Sequence, residues 1–368
     1  MAYTTINKSS EYFNTVTWSG NSSNPRNITG VGFQPDLVWG KIRSAGGNYY
    51  AIDVVRGSGT GTLNTLNTDD TSVEQTNTSG GSTSFGVYTS FDSDGFTVNA
   101  GSSSAINTNQ TGQTYVAWNW RANGSGVSNT DGSITSTVSA NTTSGFSVVK
   151  YTGDGSGASA TIGHGLGVTP ACVIMKPLNY EGAWWIAHKT MPTNYLLEFN
   201  TNAQADILTS FGGGGLSFSA FTNNVIGGIA NTNADLWNKS SEPYIAYCFA
   251  EKKGFSKFGS YTGNGSTDGT FIYTGMKPAF VIHKRTDSAG YSWLIHDNKR
   301  PDYNSTDKIL EADLASVEQS NYHMDLLSNG FKHRITSGST NGSGGTYIYM
   351  AFAENPLVGT NNIPATAR

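Results

Sequence analysis

The stretch GFQPDLVWGKIRS, residues 32–44, decides how this chain is organised, because the same frame recurs twice further along. Its counterparts are GVTPACVIMKPLN (167–179) and GMKPAFVIHKRTD (275–287). A proline cannot donate to a β-ladder and belongs at the first residue of a strand, so each frame predicts the start of one. Counted from the proline without a gap, the sixth residue is a lysine in every copy: Lys41, Lys176 and Lys284. The fifteenth is aromatic: Tyr50, Trp185 and Trp293.

Other landmarks recur in the same order around this frame. An aromatic segment ending in glycine precedes it at 13–20, 146–153 and 255–263, and a similar strand follows much later at 114–118, 243–247 and 346–350. The motif SVEQ appears at 72–75 and again at 316–319. Recurrence at this period predicts three related units. We name them by their predicted bounds: unit 1 (1–123), unit 2 (124–252, opening with a linker and a polar strand over 124–144) and unit 3 (253–356), followed by a C-terminal arm (357–368).

The composition predicts the fold class. Short runs of Thr, Val, Ile, Tyr and Phe alternate with clusters of Gly, Asn, Ser and Asp, which is typical of many short strands joined by turns. Each unit has about the length of a seven- to nine-stranded sandwich. We therefore predict an all-β protein of three tandem related antiparallel β-sandwich (jelly-roll-like) units. The sequence leaves open whether the units are separate sandwiches or share sheets.

Charge and motif content exclude several classes of protein. The 22 basic residues are scattered among 26 acidic ones, so no nucleic-acid-binding face is expected. No apolar run approaches the length of a membrane span, and the first residues lack the apolar core of a signal peptide, which predicts synthesis in the cytoplasm. Cys172 and Cys248 are expected to be buried free thiols. The spacing of cysteines and of the six histidines shows no ligand set, so no metal and no cofactor are predicted.

A repeated pair of carboxylates is the sharpest candidate for catalysis. Asp53 and Glu74 are 21 residues apart, and so are Asp297 and Glu318. Two facing carboxylates are what a glycoside hydrolase requires. Their duplication, and His188 at the corresponding place in unit 2, favour a shared structural role over catalysis, with cation binding as the remaining alternative. We therefore predict that the chain is not an enzyme. Arg56 and Arg300 follow the two aspartates by three residues and predict partly exposed ion pairs, worth under about 1 kcal/mol.

The repeated aromatic residues are the candidate ligand-binding site. They are Tyr49, Tyr50, Trp184, Trp185, Tyr291 and Trp293. Neighbouring residues on a strand point to opposite faces of the sheet. One ring of each doublet is thus expected to face outward, where it could stack on a sugar, although an aromatic residue in a small sandwich is more often part of the core.

Three further features have simpler interpretations. The repeated lysines are expected to extend along the surface or to block a strand edge, with surface recognition as the alternative. Residues 92–95 (DSDG) resemble the start of a calcium loop but lack its downstream glutamate, so a turn is predicted. The four glycines at 212–215 lack the lysine and helix of a phosphate-binding loop.

Several stretches together resemble a known family. They are MAYTTINKSSEYFNT, GFQPDLVWGKIRS, QTYVAWNW, GFSKFGSYTGNGSTDG and YIYMAFAENP. This set is similar to repeat-bearing virion structural (tail-fibre-like) proteins of marine tailed bacteriophages. The resemblance implies a virion protein that binds other virion proteins and contacts a host surface glycan or protein. It also implies a homo-oligomer, a trimer by analogy with phage fibres. It supplies no active-site residues.

Four functions remain open from the sequence. The first is a tail fibre or receptor-binding component of the virion. The second is a head-decoration or other assembly protein that binds through sheet edges or the terminal arm. A polysaccharide depolymerase and a secreted bacterial lectin are the other two.

Overall fold

A computed structural model describes residues 4–57, 63–75, 86–101, 108–156, 160–192, 195–207, 221–227, 237–301 and 303–358. The prediction of an all-β protein is confirmed, since the described residues form antiparallel sheets and one short 3₁₀ turn at Ser9–Glu11. The four glycines at 212–215 and most of the predicted C-terminal arm lie outside the described residues.

The strands of unit 1 form a five-stranded and a three-stranded sheet. They are β1 (Phe13–Ser19), β2 (Arg26–Thr29), β3 (Leu37–Ile42), β4 (Tyr50–Asp53), β5 (Leu66–Asn67), β6 (Val87–Asp92), β7 (Gly95–Asn99) and β8 (Thr114–Trp120). The larger sheet has the order β1-β8-β3-β4-β5 and the smaller one β2-β7-β6. Pro35 precedes β3 by two residues, so its missing N–H falls ahead of the ladder.

The described strands of unit 2 extend the same scheme. They are β9 (Val127–Asn129), β10 (Ser136–Asn141), β11 (Phe146–Thr152), β12 (Thr161–Gly163), β13 (Cys172–Pro177), β14 (Trp185–His188), β15 (Tyr195–Glu198), β16 (Asp206–Ile207), β17 (Val225–Gly227) and β18 (Pro243–Phe249). The large sheet runs β16-β15-β14-β13-β18-β11-β10-β9, and β12 pairs with β17. The polar stretch after unit 1 thus adds two strands, β9 and β10, to this sheet.

Unit 3 repeats the pairing order of unit 1 strand for strand. Its strands are β19 (Ser256–Thr262), β20 (Phe271–Tyr273), β21 (Met276–Arg285), β22 (Leu294–Asp297), β23 (Leu310–Glu311), β24 (Met324–Leu327), β25 (Gly330–His333) and β26 (Thr346–Pro356). The sheets are β19-β26-β21-β22-β23 and β20-β25-β24. No sheet of the described residues combines strands from two units, which answers the question the sequence left open.

Each unit has a hydrophobic core between its two sheets, and equivalent contacts recur in all three. An aromatic ring of the opening strand stacks on a tyrosine of the closing strand. The pairs are Trp18–Tyr115 at 5.2 Å, Tyr151–Tyr244 at 5.2 Å and Tyr261–Tyr347 at 4.8 Å between ring centroids. Each closing-strand tyrosine hydroxyl also accepts a backbone N–H from the preceding loop, at 2.8 to 3.0 Å. The tyrosine of the repeated closing strand is therefore structural.

The glycine that ends each opening strand has an equally local cause. A Cβ added to Gly20 would lie 1.9 Å from the carbonyl oxygen of Gln110. At Gly153 and Gly263 the corresponding carbonyl oxygen would be 2.3 Å away. Because real Cβ contacts are never this short, the close approach of the two backbones requires glycine at all three positions.

A fourth and largest core joins the units. It contains the inward faces of the three large sheets, including Phe13, Trp118, Trp184, Phe249 and Phe280. Phe13 of unit 1 stacks on Phe352 of unit 3 at 5.1 Å, and Trp120 contacts Phe249 of unit 2 at 6.2 Å. The three sheets thus bury their second faces against one another, which is why β3, β13 and β21 read as nearly continuous apolar runs.

Backbone hydrogen bonds close the three units into a ring. Unit 1 meets unit 2 where the Glu74 N–H donates to Leu178, and unit 2 meets unit 3 where the Ala205 N–H donates to Thr286. Unit 3 returns to unit 1 where the Glu318 N–H donates to Arg43. Each unit uses one surface to bind a different surface of the next unit, and the surfaces used are equivalent in all three units. This is a head-to-tail contact that closes after three copies. SVEQ lies at this contact in units 1 and 3, whereas unit 2 makes the same contact at Ala205 without the motif.

The ungapped alignment of the repeats is wrong by one residue in unit 3. Asp53, His188 and Asp297 lie opposite equivalent residues of their neighbouring strands, yet Asp297 is one residue further from its proline. The extra residue lies between Gly290 and Trp293. Trp293 therefore corresponds to Tyr49 and Trp184, while Leu294 takes the place of Tyr50 and Trp185.

Candidate functional site

Five of the six aromatic residues predicted to bind a ligand lie inside the protein. Tyr49, Trp184 and Trp293 face the core that joins the units, whereas Tyr50 and Trp185 face the cores of their own sandwiches. All five are less than one tenth exposed. The prediction that one ring of each doublet faces outward is wrong, because both faces of each large sheet are covered. Tyr291 is half-buried, and the guanidinium of Arg285 lies 4.7 Å from its ring centroid.

Two of these rings connect neighbouring units. The indole N–H of Trp184 donates to the Asn67 carbonyl of unit 1 at 2.8 Å. The indole of Trp293 donates to the Glu198 carbonyl of unit 2 at 3.1 Å. The repeated aromatic position thus serves the contact between units.

The carboxylates of unit 1 form a buried ion cluster at the contact with unit 2. The Asp53 side chain accepts hydrogen bonds from the Arg56 guanidinium and from the backbone N–H groups of Val55 and Arg56. Arg56 also reaches Glu74 at 3.2 Å. The hydroxyl of Tyr247, from unit 2, donates to the second oxygen of Asp53 at 2.8 Å. The side chains of Asp53 and Arg56 are fully buried.

Unit 3 builds the same cluster against unit 1. Asp297 binds Arg300 at 2.6 Å and accepts the indole N–H of Trp118 at 3.0 Å. Glu318 binds Arg300 at 3.2 Å and Arg43 of unit 1 through two bonds of 2.9 Å. Burial alone would raise the pKa of Asp297, but Arg300 and the surrounding donors hold that pKa below its ordinary value.

The third contact uses a neutral side chain in place of the carboxylate. His188 of unit 2 lies within 3.2 Å of the backbone carbonyl of Tyr349 in unit 3, and its other ring nitrogen meets Thr190 at 2.9 Å. Burial lowers the pKa of His188 to about 4, so the ring is neutral at pH 7. Asp53, His188 and Asp297 thus occupy equivalent places and bind equivalent strands of the next unit.

These clusters hold neighbouring units together, and the side chains of their aspartates and arginines are fully buried. A glycosidase needs its two carboxylates on either side of a bond that enters from solvent. Here the guanidinium of Arg56 or Arg300 already lies between the aspartate and the glutamate, and the aspartate is sealed beneath the next unit. The prediction of partly exposed Asp–Arg pairs is wrong, since these pairs are fully buried.

The repeated lysines are also buried, contrary to the prediction of surface positions. Lys41, Lys176 and Lys284 have no exposed area, and each ammonium group donates to backbone carbonyls near its own hairpin. Burial lowers the pKa of each to about 8. Burial likewise raises the pKa of Asp69, beside Lys41, to about 7, and that of Asp313, near Lys284, to about 6.

A cluster of histidines in unit 3 was missed by the sequence analysis. His283, His296 and His333 lie in the core between the two sheets, with ring centroids 4.9 to 6.3 Å apart. His333 is hydrogen-bonded to the Tyr261 hydroxyl at 3.0 Å, while both ring nitrogens of His283 lack a partner. Their separations of 13 and 37 residues match no ligand motif, because β21, β22 and β25 bring them together only in the folded sandwich. In the described part of the chain no group of three or more His, Cys, Asp or Glu is arranged to hold a metal ion.

A small void lies in the core that joins the units. Its volume is about 40 Å³, and its lining comes from all three units, including Trp39, Tyr247 and Phe280. The surface that lines this void is apolar, as in cavities that hold no water.

Two simpler sequence predictions hold. Residues 92–95 form the turn between β6 and β7, where Asp94 accepts the backbone N–H groups of Gly30 at 3.1 Å and Gly32 at 2.6 Å. Cys172 and Cys248 are buried free thiols.

Exposed aromatic rings occur elsewhere, on the small sheet of unit 3. Phe271 is 43% exposed and Tyr273 is 54% exposed, and the residue between them points into the core. Phe271 lies opposite Lys332, and Tyr273 lies opposite Gly330. Lys332 and Arg334 both bind Asp268, at 2.7 and 2.8 Å, and Arg334 also binds Asp325 at 2.6 Å. This strand carried no repeat signal, since unit 1 has polar residues at the same positions.

The fold and its interior define an all-β protein whose sheets are closed into one body by buried contacts between units. The chain belongs to the family described as domain of unknown function DUF7483, whose model matches residues 8–356. One family match therefore runs through all three units. No curated protein and no solved structure matches the chain. Among the described residues, no helix has the length and apolar character needed to cross a membrane.

Proposed function

We propose that this chain is a structural component of a bacteriophage virion, and that it contacts the host surface as a tail-fibre or receptor-binding protein. The resemblance of its sequence to virion proteins of marine tailed phages is the first support. Under this proposal the chain is made in the host cytoplasm, assembles with other virion proteins and is released with the particle.

The observation that carries the proposal is where the reactive side chains lie. The repeated aspartates and lysines are buried in contacts within and between units, whereas aromatic rings are exposed on the small sheet of unit 3. An interior used for cohesion and a surface that offers rings favour binding over catalysis. Buried ion clusters and three linked sandwiches also suit a protein that must persist outside the cell.

The proposed oligomer would have to use outer surfaces. The head-to-tail contacts that a homotrimer of single units would need are already made within one chain. A trimer of whole chains, proposed by analogy with phage fibres, is therefore free to form through the outer sheets or sheet edges.

A head-decoration or assembly protein is the second candidate. The edge strand β9 supports it, because Val127 on this strand is 67% exposed and the outer side of the strand pairs with no other described strand. An open edge of this kind can take up a strand from another protein.

Equilibrium binding to host cells tests the first proposal against the second. Purified full-length chain is labelled with a fluorophore and titrated onto cells that the encoding phage infects, with cells of a resistant strain as the control. Saturable binding to sensitive cells at micromolar protein is expected. Equal, non-saturable binding to both strains would contradict a receptor-binding role and favour the assembly protein.

A further inference from the structure

We propose that Phe271 and Tyr273 form a binding platform for a neutral oligosaccharide on the outer face of unit 3. This inference rests on the proposed function and names the class of ligand and the surface that binds it. The two residues alternate with buried Ile272, so both rings leave the same face of β20. Each strand residue rises about 3.4 Å, which places the ring attachments about 7 Å apart along the strand.

The comparison with unit 1 shows that the fold does not require these rings. In unit 1, β2 pairs with β7 as β20 pairs with β25, and Thr29 lies opposite Gly95 as Tyr273 lies opposite Gly330. The equivalents of Phe271 and Tyr273 are therefore Asn27 and Thr29, which are exposed and polar. The same scaffold is built with hydrophilic residues in one copy and with aromatic residues in the other.

Exposed aromatic rings on this strand increase the risk of aggregation, so their presence favours a role in binding. β20 is an edge strand of its sheet, and aromatic residues on an edge promote unwanted association. A Cβ added to Gly330 would lie 2.1 Å from the carbonyl oxygen of Ile272 and 2.9 Å from the ring of Phe271, so glycine is required there and the Phe271 ring lies close to the backbone of the neighbouring strand.

The charges beside the rings favour a neutral ligand. Lys332 and Arg334 are matched by Asp268 and Asp325 in one network of ion pairs, so the rim has no excess of either sign. A charged polysaccharide would have to break these ion pairs. The hydroxyl groups of a neutral sugar can instead hydrogen-bond to the carboxylates and cationic groups while the ion pairs stay intact. A pyranose ring supplies both an apolar face of C–H groups for the aromatic rings and hydroxyls for the rim.

The test uses the full-length chain and defined probes. Cellohexaose, maltohexaose and mannohexaose are the neutral probes, an alginate hexamer is the acidic one, and a neutral polysaccharide fraction from host envelopes is added. The variant Phe271→Asn/Tyr273→Thr carries the residues of unit 1, so its melting temperature is expected to match that of the wild type. Val127→Thr, which removes an exposed apolar side chain from a different edge strand, is the matched control.

The wild type and Val127→Thr are expected to bind at least one neutral probe at concentrations below about 1 mM, and the double variant at least about tenfold more weakly. Failure of every neutral probe, binding of the alginate hexamer instead, or equal binding by the double variant would each overturn the proposal. If the double variant still binds host cells as the wild type does, the platform is refuted while the receptor-binding function stands. If the wild type itself does not bind host cells, the function fails.

Discussion

Removing one hydroxyl at the contact between units 1 and 2 should destabilise the whole chain. Tyr247 is buried, and its hydroxyl donates at 2.8 Å to the fully buried carboxylate of Asp53. Tyr247→Phe keeps the ring and its packing but leaves one oxygen of Asp53 with fewer donors. A hydrogen bond to a charged group contributes about 1.5–3 kcal/mol, so the free energy of unfolding should fall by about this amount.

The matched control is another buried tyrosine. The Tyr88 hydroxyl lies in the core of unit 1 and has no hydrogen-bond partner. Removing an unsatisfied buried hydroxyl relieves a desolvation penalty, so Tyr88→Phe should be neutral or stabilising. The two variants make the same chemical change at similar burial and differ in the contact that is lost.

The assay is thermal unfolding followed by scanning calorimetry. The entropy of unfolding is about 2 cal/mol/K per residue, so a chain of 368 residues that unfolds as one body shifts by about 1.3 °C per kcal/mol. Tyr247→Phe should therefore lower the melting temperature by about 2–4 °C. If the units unfolded separately, one of several transitions would move by about three times as much. A Tyr247→Phe shift no larger than that of Tyr88→Phe would refute the role given to this contact.

Three further predictions concern the other buried groups. His283 is buried with its pKa below the ordinary value, so only the unfolded chain takes up a proton below about pH 6.5, and stability falls as the pH drops. Between about pH 7.5 and 5.5, the free energy of unfolding measured in urea titrations should fall by about 1.4 kcal/mol more in the wild type than in His283→Phe, and an equal fall in the two proteins would contradict this. Asp69 and Asp313, with raised pKa values, act in the opposite sense in both proteins, so the difference between variant and wild type is the quantity measured. Asp297→Asn should cost about 3–5 kcal/mol by leaving Arg300 without its main partner, measured by urea unfolding, and a cost below about 1 kcal/mol would show that the cluster is not cohesive. Neither the wild type nor Asp53→Asn is expected to release reducing sugar from host polysaccharide, and release by the wild type that a folded Asp53→Asn variant loses would support the depolymerase instead.

The sequence was sufficient for the fold class and for most landmarks of the repeat. Local geometry explains the glycine at the end of each opening strand, the tyrosine in each closing strand and the prolines before β3 and β13. These positions depend on strand pairing, turns and the close approach of two backbones. Such demands act over a few residues, so the pattern of residue types carries them directly. The one-residue offset at Trp293 could not be predicted from the sequence, because Trp293 aligns with an aromatic residue of each other unit whether or not the extra residue is allowed for.

The wrong predictions about exposure share one physical origin. In an isolated sandwich each large sheet buries one face, which would send Tyr49 or Tyr50 outward and place Lys41 at the surface. The ring of units covers the second face, and that contact depends on residues far apart in the chain. The histidine cluster was missed for the same reason, since His283 and His333 meet only across the sandwich. The exposed Phe271 and Tyr273 have polar counterparts in unit 1, so the repeat pattern does not predict them.

The central claim, a virion protein that contacts the host, is tested most directly by locating the chain on particles. Antibody against the purified protein, coupled to gold, is applied to intact particles of the phage that encodes the chain, with antibody depleted on the purified protein as the control. The account predicts label at the tail that disappears with the depleted antibody. Label over the head would make the chain a decoration protein, and unlabelled particles would contradict the virion assignment.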